Sequence, residues 1–462
     1  MQRSMKTIGV SLALAVCACS DGQELSQGAQ SKHTGQRSQR QSVAEAPSIG
    51  VEFGVSSPDV PLGGNLSSPQ LAVSPGGLAL LVNDDSNRRV FMTLDGAGNT
   101  VHSNTTSPYL TTAVGHEHGW LLAGHQPVQG VSPLGTPTWF NYATVRAASP
   151  TAVFGPETQL PKPPSPASNQ IFGLASGHET FGVLVREFGV FTAHRLLFCR
   201  IAGDGTLPPS SLVLRSIPFN EQDPLGQLSY AAKGSLTFAN GNYLAVWADH
   251  STILAARITP NQTLVDTTPL TLLELGAAPA WLNVATDASG YLLTWGEAGN
   301  VIRGTRLESD LSVQDPQGFQ IAAASSARSE PVTEYEAPYY VTVWREGAAA
   351  GGDLWAARVS AASGPVDAAP LRLTGHGDIA RFDVGPNAAG VALLAYERTL
   401  LGHDSPTVRL KFVDVESGSA EAACSAAPGS GSGTGTLGAV ALLTALGVFA
   451  LARRHGGTPY CC

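Results

Sequence analysis

Six acidic side chains recur at nearly the same offset from a repeated apolar pentapeptide. Asp84, Glu187, Asp249, Glu297 and Glu346 stand two residues after it, Glu397 stands one residue after it, and a further copy offers Gln126. Carboxylates brought to one rim would form a hard oxygen donor set suited to calcium or to a basic ligand, whereas isolated exposed acids would only keep turns soluble. His376 and Asp378 in "GHGD" fall in a loop on the same side, with His250 and His403 in nearby loops. Two such acids standing about 5 to 10 Å apart in a cleft would make glycosidase chemistry credible. His116 and His118 in "GHEHG", and His178 in "SGHE", sit in turns on the opposite side and lack a third ligand nearby, so they read as polar turn residues.

The segments that carry the acids share one plan. The clearest pentapeptides are "YLAVW" ending at Trp247, "YLLTW" ending at Trp295 and "YVTVW" ending at Trp344, spaced by 48 and 49 residues. Weaker copies end at Val82, Gly124, Val185 and Tyr396. Each is preceded by a strand-like segment and a tight turn, as in "SLTFANG". Each is followed by a third strand, such as "ILAARI", "VIRGTRL" or "LWAARV", and most by a fourth, such as "PLTLL". Short Val, Leu, Tyr and Trp runs between turn residues read as strands. A four-stranded unit of roughly fifty residues, too thin to bury both faces alone, is the plan of a β-propeller blade. The expectation is an all-β, seven-bladed propeller of four-stranded antiparallel blades over residues 48–418, with six blades as the alternative count. The last unit lacks a fourth strand, and "GVEFGV" at 50–55 is placed to supply it and close the ring, covering a sheet edge. The repeated Trp and Tyr are expected between blades. Arg146, Arg200, Arg257, Arg306 and Arg358, near the ends of third strands, are expected in the scaffold.

Composition narrows the function classes. A net charge of -9 argues against a surface that tracks phosphates, so nucleic acid is set aside. Of the six cysteines, Cys17, Cys19, Cys424, Cys461 and Cys462 crowd the ends, and only Cys199 lies in the body, where "LLFCRI" makes it a core residue. Burial and not disulfides must hold the fold. No HExxH, no GxSxG elbow, no P-loop and no CxxC pair is present. The Ser-x-Asp-x-Gly-x-Thr-Trp box of sialidase-like propellers is also absent.

The two ends carry targeting signals. Arg3 and Lys6 precede an apolar stretch from Ile8 to Val16, which makes residues 1–18 a signal peptide, and residues 19–47 are a polar tether without core-forming groups. "VCAC" resembles a bacterial lipobox, which implies cleavage after Ala18 and a lipid on Cys19. Residues 419–435 form a small-residue linker. The apolar run Thr434 to Ala452 is about 28 Å long as a helix, so 436–454, with its Arg453–Arg454 stop, reads as one C-terminal transmembrane helix followed by a short tail at 455–462. Cysteine, small-residue spacer, short span and arginine pair together resemble the myxobacterial C-terminal sorting tag, MYXO-CTERM. In that family a sortase-like protease processes the tag and the cargo reaches the cell surface, and the resemblance implies that Cys424 is the modified residue. The repeat itself resembles a propeller-type repeat of large bacterial surface proteins, which implies no activity.

Together these features predict an exported protein of the cell envelope, outer membrane or cell surface, a binding or interaction module for an envelope or extracellular polysaccharide or protein. The alternative is a surface polysaccharide hydrolase or lyase using the acidic rim. No catalytic residue, metal site or cofactor is expected, with calcium at the acids as the exception considered.

Overall fold

The computed structural model describes residues 48–415, apart from 55–66, 75–76, 85, 87, 117–118, 132–136, 162–166, 190–192, 209, 218–232, 298–299, 324–330, 349–350, 376, 389–390 and 400–405. The segments expected to be a signal peptide, tether, linker and transmembrane helix, together with Cys19, Cys424 and His376, lie outside the described residues. Among the described residues no helix is long and apolar enough to cross a membrane.

The leading strand is β1 (Ser48–Gly54). The first four-stranded antiparallel sheet holds β2 (Ser67–Ser74), β3 (Gly77–Asn83), β4 (Arg89–Leu94) and β5 (Thr100–Thr106). The second holds β6 (Leu110–His116), β7 (Gly119–Val131), β8 (Pro137–Ala148) and β9 (Phe154–Gln159). The third holds β10 (Ala167–Ser176), β11 (Thr180–Gly189), β12 (His194–Ala202) and β13 (Leu212–Ile217). The fourth holds β14 (Gly234–Ala239), β15 (Asn242–Asp249), β16 (Thr252–Ile258) and β17 (Leu270–Glu274). The fifth holds β18 (Leu282–Thr286), β19 (Gly290–Glu297), β20 (Val301–Glu308) and β21 (Phe319–Ala322). The remaining strands are β22 (Val332–Glu336), β23 (Tyr339–Ala348), β24 (Gly351–Ser360), β25 (Gly364–Pro365), β26 (Leu371–Arg372), β27 (Ile379–Ala388), β28 (Val391–Thr399) and β29 (Pro406–Asp414). They join β1 in one nine-stranded sheet.

The chain is therefore an all-β propeller of four-stranded antiparallel blades, and the blade count differs from the sequence expectation. Five four-stranded blades form separate sheets, not seven or six. The last two repeat units merge because the outer strand β26 is only two residues long and leaves the start of β24 uncovered, where Gly352 pairs with Ile379. Two glycines permit that approach. A Cβ on Gly351 would lie 2.9 Å from the Gly377 carbonyl oxygen, and one on Gly352 would lie 2.4 Å from that of Glu346. The expected closure is present: β1 runs antiparallel to β29, from Ser48 opposite Asp414 to Gly54 opposite Arg409.

Inter-sheet packing supplies the core. The first strands β2, β6, β10, β14, β18, β22 and β27 abut one another in that order, and β27 returns to β2. Second strands are buried along their length, as in Tyr243 to Trp247, because neighbouring sheets cover both faces. Outer strands such as β17 alternate between covered and open positions. One apolar layer joins Leu244 and Val246 to Tyr291, Leu293 and Trp295 of the next sheet, and another joins Leu292 and Trp281 to Tyr340 and Trp344. The repeated Trp and Tyr are thus packing residues, and the Tyr243 hydroxyl also donates to the Thr180 carbonyl of the preceding sheet at 2.7 Å. Cys199 is core, its thiol pushed up to about 12 by burial and by Glu187. Tight turns follow residue chemistry: Asn240 and Gly241, both at positive φ (52° and 74°), make the β14–β15 connection that a two-residue hairpin with native twist requires.

The third-strand arginines hold the outer hairpins. Arg257 grips Asp266, Arg306 grips Asp315 and Arg358 grips Asp367, each through the guanidinium and each nine residues apart. Arg306 also donates to the carbonyl of Ala361, just past β24 (3.2 Å), and Arg358 to that of Val415, just past β29 (3.0 Å).

Candidate functional site

The rim acids lie where the repeat places them, at the β3–β4 type of hairpin, but the fold spends them locally. Asp84 is buried, its Oδ1 accepting from the backbone N–H of Ser86 (3.0 Å) and Arg88 (2.8 Å) and its Oδ2 from Arg88 Nε (2.7 Å). Burial alone would raise this carboxyl, and the Arg88 and Ser86 contacts outweigh it, holding it below the usual range. Glu187 is buried and takes Arg195 Nε at 2.6 Å, with burial still leaving its carboxyl raised. Asp249 pairs with Arg215 (2.9 Å) and touches His250 (3.2 Å). Glu297 accepts from Trp295 Nε1 (3.3 Å) and faces Arg303 (3.4 Å). Asp378 accepts from Arg398 (2.8 Å) and Glu397 from the Ser68 N–H (2.8 Å) across the closing seam. Glu346 is half-buried on β23, opposite Asp353. The acids are dispersed into separate latches and do not assemble as a common donor set. Among the described residues no group of three or more His, Cys, Asp and Glu could hold a metal ion.

The structure instead brings two other carboxyls together inside the ring of first strands. A cavity of about 310 Å³ opens there, bounded by β2, β6, β10, β22 and β27. Leu71, Val73, Val114, Leu174 and Val384 contribute to its walls, but the surface it exposes is more polar than apolar, and its polar side chains are Gln70, Thr112, Glu334 and Asp383. Among the described residues no Lys, Arg or His lines it. First strands approach closely at the axis, so a long acidic side chain there points at the cavity and not at bulk water. Asp383 is anchored: Oδ2 accepts the Leu71 N–H at 2.7 Å and Oδ1 accepts the Val384 N–H at 3.0 Å. No such hydrogen bond to Glu334 is formed among the described residues, and its part-open surface faces the cavity. Glu336, two residues on, turns the other end of β22 toward the Val391 N–H (3.2 Å).

Withdrawal from bulk water dominates the electrostatics. Burial, and then the negative charges of Asp383 and Glu336, push Glu334 up to about 8. Burial pushes Asp383 up to about 7 against the Leu71 and Val384 N–H groups, which pull the other way. In the unfolded chain both carboxyls titrate near ~4. The folded protein therefore holds protons that the unfolded chain has released, and the stability this gives is complete below about pH 4 and lost as pH rises through about 7 to 8. Glu334→Gln is expected to remove about 1–3 kcal/mol of the stability lost between about pH 5 and about pH 8.5, after discounting for the cavity's own water. Denaturant unfolding at the two pH values measures this, and an identical loss in wild type and variant would show that Glu334 does not titrate there.

Sequence reasoning passed over both residues. The available signal was clear only for Glu334 in "VTEYE", whose place opposite the second strand is taken by Thr237, Ala285 and Gly385 in other units, whereas the place of Asp383 in "ARFDVG" is already polar elsewhere, as Ser235, Asn283 and Gln70.

No protein-family model and no curated protein sequence matches the chain. Among solved structures, it is similar to a neuraminidase-like protein of a little yellow-shouldered bat isolate, with 9% identity, a TM-score of 0.40, and coverage of 78% of this chain and 97% of that one. It is also similar to the WD40 domain of SCAP from fission yeast, with 10% identity, a TM-score of 0.37, and coverage of 80% and 99%.

Proposed function

We propose that the chain is an exported, surface-anchored propeller that acts as a binding module and takes its ligand in the central cavity. The observation that carries this reading is the cavity itself: a space large enough for a small molecule, where polar groups converge around an unspent carboxyl. The lipobox-like Cys19, the tag-like Cys424 and the apolar run at 436–454 support delivery to the envelope and retention there.

Two carboxyls of raised proton affinity in one cavity also suit an acid/base pair, which keeps a polysaccharide hydrolase or lyase as the second reading. Against it, both Asp383 oxygens are committed to backbone N–H groups, so this carboxyl is positioned to hold strands together and not to move toward a substrate.

Thermal shift of the full-length protein against envelope glycan fragments and small polar metabolites tests the site, with Ala113→Phe as the cavity-filling control. A ligand at about a hundred times its Kd adds ~2.7 kcal/mol to wild type, and the expected result is that most of this is absent in the variant. Equal stabilisation of both proteins would place binding elsewhere.

A further inference from the structure

We propose that the central cavity recognises a small organic cation, an ammonium head group on a short body, with Glu334 as its counter-ion. This rests on the cavity being the binding site. Among the described residues the lining offers an anion no cationic side chain and sets two carboxyls against it, since its polar side chains are Gln70, Thr112, Glu334 and Asp383. It also suits a metal poorly: calcium takes six to eight oxygens, the four polar side chains here are too few, and Asp383 is already engaged by Leu71 and Val384. One carboxyl remains, with Leu71, Val73, Val114, Leu174 and Val384 around it. A single carboxyl in a cavity without cationic side chains among the described residues selects a ligand with one cationic donor, bound through a charge-assisted hydrogen bond.

The charged groups around Glu334 define the coupling. Asp383 on β27 and Glu336 on its own strand are negative neighbours. Asp287, beyond β18, acts on Tyr335 and Tyr340 at the other side of β22. On the β2 side, Arg381 is turned to the Ser68 hydroxyl and Arg89 to the backbone carbonyls of Ser68, Leu110 and Thr111, so neither neutralises the cavity. An incoming cation therefore meets a proton on Glu334 and must displace it: the O–H bond breaks, the proton leaves to buffer, and the ammonium N–H donates to the carboxylate.

Calorimetry of the full-length protein with n-butylammonium, repeated in buffers of different ionisation enthalpy, tests this, with n-pentanol as the neutral probe of similar shape. The expected result is release of close to one proton per ligand near pH 7 and an affinity that rises roughly fifty-fold between about pH 6 and about pH 8. Glu334→Gln, which keeps the shape of the protonated side chain, is expected to lose that pH dependence and at least tenfold in affinity near pH 8. Pentanol binding as tightly as butylammonium, or butylammonium binding without proton release, would overturn the cation assignment while leaving the cavity a binding site. Failure of both probes in wild type, together with glycan-fragment or metabolite binding that Ala113→Phe abolishes, would overturn it in the same way. If Ala113→Phe changes the binding of nothing, the cavity reading itself falls.

Discussion

Deletion of residues 48–54 is expected to cost about 3–5 kcal/mol of folding stability and to turn a monodisperse protein into self-associating material. These residues form β1, which has no hairpin partner of its own and pairs along β29 with a bulge between Ile49 and Glu52. The paired residues each lose ladder hydrogen bonds worth about 0.5–1.5 kcal/mol net, in a fold whose total margin is of the order of 5–15 kcal/mol. The larger consequence is geometric. Without β1, β29 becomes a nine-residue open edge, a template for pairing with another chain. The seam is held elsewhere by an apolar layer that joins Leu71, Leu80 and Val82 to Leu393, Val408 and Leu410, and by side-chain links from Asp383 to the Leu71 N–H, from Glu397 to the Ser68 N–H and from Arg381 to the Ser68 hydroxyl. Urea unfolding and size-exclusion chromatography give the two readouts, and a deletion variant that stays monomeric with wild-type stability would show that β1 does not close the ring.

What was legible in the sequence follows from where the physics is local. The Tyr and Trp pentapeptides report strands buried on both faces, and their near-constant spacing reports repetition, so the blade plan and the closing strand could be read from residue type alone. The merging of the last units could not, because it depends on Gly351 and Gly352 letting Ile379 reach a strand start that the two-residue β26 leaves open. The rim acids show the same division. Their own spacing is regular, but their partners are not: Arg88 lies four residues after Asp84 and Arg195 eight after Glu187, while Arg215 precedes Asp249 on a different sheet. A repeated acid thus looked like a shared surface, whereas Asp84, Glu187 and Asp249 each hold a partner of their own. The Arg257–Asp266, Arg306–Asp315 and Arg358–Asp367 pairs were readable, since the aspartate follows at one fixed offset. Glu334 and Asp383 carry no such signature, because two acids from different repeats become neighbours only when the ring brings β22 and β27 to the same cavity.

Replacement of Arg358 by Met is expected to destabilise the fold by about 3–5 kcal/mol, more than the same change at either equivalent arginine. Its side chain is 2% exposed, against 14% for Arg306 and 25% for Arg257. The guanidinium binds Asp367 through Nη2 (2.7 Å) and Nε (3.1 Å), donates to the Val415 carbonyl at 3.0 Å, and lies 5.1 Å from the Tyr339 ring centre. Asp367 is itself nearly covered and also accepts the Arg358 N–H at 2.7 Å, so removing the cation strands a carboxylate with little access to water. Asp266 is as covered as Asp367 and Asp315 is more open, but Arg257 and Arg306 both hold their guanidinium groups in more solvent than Arg358 does, so their ion pairs are worth less and the expected cost at each is lower. The order Arg358 over Arg306 over Arg257 is therefore the diagnostic, read from urea midpoints of the three single variants. A second change, Asp367→Leu, is expected to recover part of the Arg358→Met loss, because it removes the stranded charge that makes the single change costly. Equal losses at the three sites, or no recovery in the double variant, would mean that packing of the arginine stems and not burial of the ion pair sets the cost.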